Sequence, residues 1–80
     1  MNFFIGTIYL FPYGRTPMNF LPCNGMLMQI RMNTALFSLI GTTYGGDGVN
    51  TFALPNMQGL EPMPGVQYYI EVAGLYPLRS

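Results

Sequence analysis

Few side chains in this sequence could do chemistry. Histidine and lysine are absent, and the ionisable inventory comes down to three arginines, three carboxylates, one cysteine and six tyrosines. General acid–base catalysis needs a group that titrates near the working pH, and a nucleophile needs a base beside it. Cys23 has no histidine to deprotonate it and sits between Pro22 and Asn24, so it reads as a buried structural thiol. Glu61 falls in a proline-punctuated loop and Glu71 in a predicted strand, which makes them surface or interface charges rather than a catalytic pair. Asp47 lies in the run Gly45-Gly46-Asp47-Gly48, where it can bond N–H groups of its own turn. A phosphate-binding loop would need the lysine that is missing, and a calcium loop would need more oxygen ligands than one aspartate. The seven methionines read as packing residues, with Met26 and Met28 on one strand face, because a soft-metal site needs convergent sulfur ligands. No catalytic residue, cofactor or metal site is expected.

The glycine-rich run is framed by a helix and a strand. Asn33 can cap a short helix, predicted over residues 34–40, through its side-chain oxygen. Leu36, Leu39 and Ile40 share one face of that helix, with Ala35 and Phe37 beside it. Gly41 stops the helix in a left-handed C′ position. After the turn, residues 51–54 read as a strand closed by Pro55. Upstream, residues 4–11 form a strand with Ile5, Thr7, Tyr9 and Phe11 on one face; both faces are apolar, so both should be covered. Asn24-Gly25 is a type I′ hairpin signal that would join strands at residues 20–23 and 26–29. Residues 66–73 alternate as a final strand, Tyr68, Ile70 and Val72 against Gln67, Tyr69, Glu71 and Ala73. Lying near the C-terminus, it could pair with the first strand or offer an edge to a neighbouring chain.

Composition bounds the rest. A chain of 80 residues is a single domain, 1–80, near the lower limit of what folds alone. Half of it is hydrophobic, only 8% is charged, and the formal net charge is zero. About a quarter of an ordinary soluble domain is charged, and zero net charge promotes association. The surplus apolar surface should therefore lie against another copy of the chain. The longest apolar run is too short to span a membrane, and the N-terminus lacks the basic region and cleavage site of a signal peptide, the chain opening directly into a strand. With no basic patch, nucleic acid is not an expected partner.

The segment NTALFSLIGTTYGGDGVNTFALPN, residues 33–56, resembles the signature of phage tail collar domains, also called the microcystin-dependent protein family, roughly N-x-A-L-F-S-L-x-G-T-T-Y-G-G-D-G-x-x-T-F-x-L-P-[DN]-L. Residues 19–25, NFLPCNG, are similar to the family's G-W-x-x-C-[DN]-G, with Phe20 at the core-plugging tryptophan and Asn19 at the glycine. In the opening G-E-I-[RK]-x-F, Thr7 and Tyr9 replace the charged positions. The family's L-P-D-L-R-G-R has lost both arginines here, and the ending Gly74-Leu75-Tyr76-Pro77 with Arg79 is similar to a compact branch.

The fold expected is α+β: a small, mostly antiparallel β domain with one short helix and loops fixed by glycine and proline. The resemblance implies a non-enzymatic structural subunit, since relatives such as the short tail fibres of contractile phages are trimeric fibres that contact a host. It would self-assemble into an extracellular fibre or a tail-like particle, as a homo-oligomer held by apolar burial or strand pairing. Candidate subunit-interface residues are Phe4, Thr7, Tyr9, Phe11, Tyr69 and Tyr76. The alternative is a receptor- or carbohydrate-binding module that meets a cell-surface glycan through Tyr44, Asp47 and Asn50 in the loop of residues 44–50.

Overall fold

The computed structural model describes residues 4–12, 14 and 16–76. Tyr13, Arg15 and the tail from Pro77, including Arg79, lie outside the described residues. The fold is α+β, small and mostly antiparallel, with five short strands and one α-helix among the described residues. Strands β1 (Ile8–Pro12) and β2 (Phe20–Pro22) flank β5 (Val66–Glu71) in a three-stranded antiparallel sheet of order β1-β5-β2. Strands β3 (Leu27–Gln29) and β4 (Thr51–Ala53) form a separate antiparallel pair. A 3-10 turn, Ile30–Met32, leads from β3 into helix α1 (Thr34–Ile40).

The sheets enclose a core of Ile5, Cys23, Leu36, Phe52, Leu54 and Ile70. Helix α1 begins and ends where its apolar spacing predicts. It buries Leu36, with Ala35, Phe37 and Ile40 packed beside it, whereas Leu39 is exposed. The capping differs from expectation. Asn33 occupies the N-cap but makes no side-chain cap; its amide Nδ2 donates to the Gln29 carbonyl at 2.9 Å. The preceding 3-10 turn already commits Asn33 to its own closure, since the Asn33 N–H donates to Ile30 at 3.0 Å. Gly41 does take a positive φ of 55°, but with ψ −144°, a mirror-extended conformation rather than αL that only glycine enters freely.

The hairpin expected at Asn24-Gly25 is not formed. β2 pairs with β5 and β3 with β4, so the turn joins two sheets instead of two neighbouring strands. A type I′ turn needs positive φ at both central residues, and here Gly25 has it while Asn24 does not. Asn24 instead bridges Asn56 and receives the Met26 N–H on its side-chain oxygen. Met26 consequently lies outside β3, although it and Met28 both pack against the core.

The first strand is shorter than predicted. Phe4 bridges Leu75 in isolation, Gly6 turns the chain at φ 89°, and the ladder starts at Ile8. Its faces are covered only in part by this chain: Ile8, Tyr9 and Leu10 remain exposed, while Phe11 is half-buried. β5 is a central strand rather than an edge, and this buries Tyr69, Ile70 and Glu71 together. Tyr9, Phe11, Phe20 and Tyr69 form an aromatic cluster with ring centroids 5.4–6.0 Å apart. Phe20, buried within it, fills the position of the tryptophan plug.

Asn19 is the one described non-glycine residue with positive φ, at 69°, and it stands where the resembled pattern has glycine. Its carbonyl accepts from the Val72 N–H at 2.8 Å, so the conformation is tied into the sheet. Asn19→Ala should lose about 1 kcal/mol of stability, because asparagine tolerates the left-handed region and alanine does not. Asn19→Gly should be neutral or slightly stabilising. Chemical denaturation of both variants measures the difference.

Candidate functional site

The loop of residues 41–50 is built from glycine freedom and one carboxylate. Gly45, Gly46 and Gly48 all have positive φ, at 133°, 95° and 75°. Those turns bring the backbone of residues 49–51 around Asp47, whose Oδ1 accepts the N–H groups of Val49, Asn50 and Thr51, each at 2.9 Å. In return the Asp47 N–H donates to Thr51 Oγ1 at 3.2 Å. The three backbone donors hold the carboxyl at about 2, below its ordinary 3.8.

The loop closes a sheet edge. β3 covers one side of β4; on the other side the Ala53 N–H donates to Gly45 and the Gly48 N–H donates to Thr51. With Asp47 taking the Thr51 N–H, both backbone groups of Thr51 and the Ala53 N–H are satisfied by the loop rather than by a further strand. This is a structural task for the glycine-rich signature, and it explains why Gly46 must lie against Phe52.

A pH dependence follows. The folded carboxyl titrates below its unfolded value, so its contribution to stability is complete above about 3.8 and disappears as pH falls through about 2. Following the Asp47 side chain by NMR should place its midpoint near 2. Asp47→Asn should remove that part of the acid dependence and lower stability at neutral pH, because an amide oxygen is a weaker acceptor than a carboxylate.

Tyr44, Asp47 and Asn50 are all exposed on this loop. Beside them an open cleft of about 370 Å³ is lined by Gln29, Ile30, Arg31, Val49, Asn50 and Thr51. Its floor is fixed by the Ile30 N–H donating to the Asn50 carbonyl at 2.9 Å. The sequence had marked only Asn50 among these, because Gln29 and Arg31 reach the loop through the β3–β4 pairing, which leaves no local spacing to read.

The candidate interface residues divide. Phe4 and Tyr76 are about half exposed and lie outside the strands, with Phe4 bridging Leu75 and the Tyr76 hydroxyl 2.6 Å from Ser38 Oγ. Tyr9 is exposed at its edge, Phe11 and Thr7 are half-buried, and Tyr69 is only 2% exposed. Tyr69 is therefore a core residue and not a contact residue; the central place of β5 is the reason. Glu71, expected at a surface or interface, is likewise buried, and its Oε1 accepts the Ala73 N–H at 3.3 Å. Glu61 closes its own loop by accepting the Gly59 N–H at 2.9 Å. Burial pushes the Cys23 thiol up to about 11, which disfavours the reactive thiolate. Among the described residues, no three His, Cys, Asp or Glu side chains cluster as a metal site would require. No described helix is long and apolar enough to cross a membrane.

Comparison with known proteins agrees with this architecture. No curated protein matches the chain. The profile of the phage tail collar domain matches residues 6–62, more than two thirds of the sequence, covering β1 to β4 and α1 and ending before β5. On that match, together with a glycine-rich loop that seals β4 and a phenylalanine in the plug position, the chain belongs to the phage tail collar domain family and has a structural, tail-associated role.

Proposed function

We propose that the chain is a non-enzymatic building block that associates with copies of itself into a fibre or tail-like particle outside the cell. The observation that carries this reading is apolar surface left uncovered by the chain's own fold: Phe4, Ile8, Tyr9, Leu10, Leu75 and Tyr76 are all exposed. Only six charged side chains, summing to zero, stand against contact between copies. Burying about 1,000 Å² of such surface per subunit would contribute on the order of 25 kcal/mol before the entropy costs of association. Charge pairing is therefore unnecessary. Sedimentation across a dilution series, with electron microscopy of the concentrated sample, tests the reading. Association with regular particles or filaments is the expected result, and a monomer at every concentration overturns it.

A second reading, adhesion to a cell-surface glycan, draws on the exposed loop of residues 44–50 and the cleft beside it. Tyr44 and Val49 present apolar faces there, with the amides of Gln29 and Asn50 alongside. A glycan array probed with the purified protein distinguishes the two: sugar-specific signal lost in Tyr44→Ala favours adhesion, and its absence leaves assembly alone.

A further inference from the structure

Among the described residues, β1 is the sheet edge with the least cover for its outward backbone groups. On β2, the Phe20 N–H donates to the Pro17 carbonyl at 3.1 Å, and Pro22 has no N–H to offer. On β3, Leu27 and Gln29 face outward; the Gln29 carbonyl accepts the Asn33 amide, which leaves the two Leu27 groups and the Gln29 N–H uncovered. The glycine-rich loop covers β4. Among the described residues, nothing covers β1 in this way.

Its outward groups follow from the register. β1 and β5 are antiparallel with Tyr9 opposite Tyr69, and the Glu71 N–H donates to the Thr7 carbonyl at 2.9 Å. Hydrogen-bonded and non-hydrogen-bonded positions alternate along an antiparallel strand. Thr7, Tyr9 and Phe11 therefore turn their backbone groups toward β5, and Ile8 and Leu10 turn theirs away. No described residue pairs with the N–H or C=O of either. Natural edge strands are usually blunted by a charge, a proline or a bulge. β1 carries no charge, and its only proline is at its end.

We propose that this edge is the surface on which a second copy of the chain docks, β1 against β1, antiparallel, with Tyr9 opposite its counterpart. This rests on the self-association proposed above and specifies the face that performs it. In that register Ile8 lies opposite Leu10 of the other copy, and Leu10 opposite its Ile8, so every outward donor and acceptor of both residues is used. Sliding by two residues would set Pro12, which lacks a donor, or Gly6, whose N–H is already given to Glu71, against one of them. A second copy fits because the strand is apolar throughout, so a two-fold pairing sets no like charges against each other. The contact is isologous and joins two three-stranded sheets into one. Growth beyond the pair would then use another surface, such as the exposed Phe4 and Leu75.

Leu10→Pro tests the edge directly, since it deletes an N–H that points away from β5 and leaves the β1–β5 ladder intact. It should retain the circular dichroism of the parent and weaken the pair by roughly tenfold or more, two hydrogen bonds being lost per dimer. Tyr9→Cys keeps the proposal testable should the proline variant fail to fold. Under mild oxidation two copies should link through position 9, whereas Ile8→Cys should not link to itself; Cys23 is buried and does not compete. If the parent associates but Tyr9→Cys does not link, or the folded Leu10→Pro associates equally well, the edge proposal fails and self-association stands. If the parent is a monomer throughout, both fail.

Discussion

Leu36→Asp should leave no folded protein. Leu36 has no exposed surface and touches a core of Ile5, Cys23, Phe52, Leu54 and Ile70, none of which offers a charge partner. Losing the leucine costs about 2–5 kcal/mol, and enclosing an unpaired carboxylate, or holding it protonated, costs several more. A domain of this length has a total stability of roughly 4–12 kcal/mol, so the sum exhausts it. Arg31, the only cation among the described residues, is exposed on the 3-10 turn rather than beside Leu36. Leu39→Asp is the matched control, on the same helix but with its side chain exposed, and it should cost no more than about 1 kcal/mol. Circular dichroism and amide NMR dispersion distinguish the pair. A cooperatively folded Leu36→Asp would mean that α1 does not dock through this residue.

The contrast between these leucines shows what could be read along the chain and what could not. The helix bounds were legible because three apolar residues in helical spacing lie between an asparagine and a glycine, and both signals are local. Its buried face was legible only in part: Leu39 fits the stripe, but residues from distant strands decide which side of the stripe is covered. The turn at Asp47 was legible for the same local reason, since φ > 0 and an aspartate accepting nearby N–H groups need no partner from elsewhere. Strand pairing was legible only in part: the last strand does pair with the first, but β2 does not pair with β3. Asn24-Gly25 carries a hairpin signal, yet β5, more than forty residues later in the sequence, takes β2 away from β3. That competition depends on the burial of Tyr69 and Ile70, which no window around Asn24 contains. The same insertion turned Tyr69 and Glu71 from candidate surface residues into interior ones. It also made β1 the open edge, so the chain's exposed apolar strand lies at its beginning rather than near its end.

The glycine-rich loop yields the second large effect. Gly46 has φ 95°, where side-chain-bearing residues are strained. A Cβ at this position would stand 2.4 Å from the Phe52 Cα, 2.6 Å from the Thr51 carbonyl oxygen and 2.8 Å from the Phe52 nitrogen. All three are backbone atoms of β4, and none can rotate aside as a side chain would. Gly46→Val must therefore lift the loop off the strand edge. That movement breaks the Ala53-to-Gly45 and Gly48-to-Thr51 bonds, together with the Asp47 contacts that hold the turn. With Phe52 in the core, the displaced edge pulls on the interior, and a loss of about 4 kcal/mol or more is expected. Gly59→Val separates backbone strain from collision. Its φ is 88°, but nothing lies within 4 Å of its Cβ, so it should lose only about 1–3 kcal/mol. Denaturation midpoints that fell equally in the two variants would mean that the Gly46 contact with β4 contributes nothing beyond the strain of a positive φ.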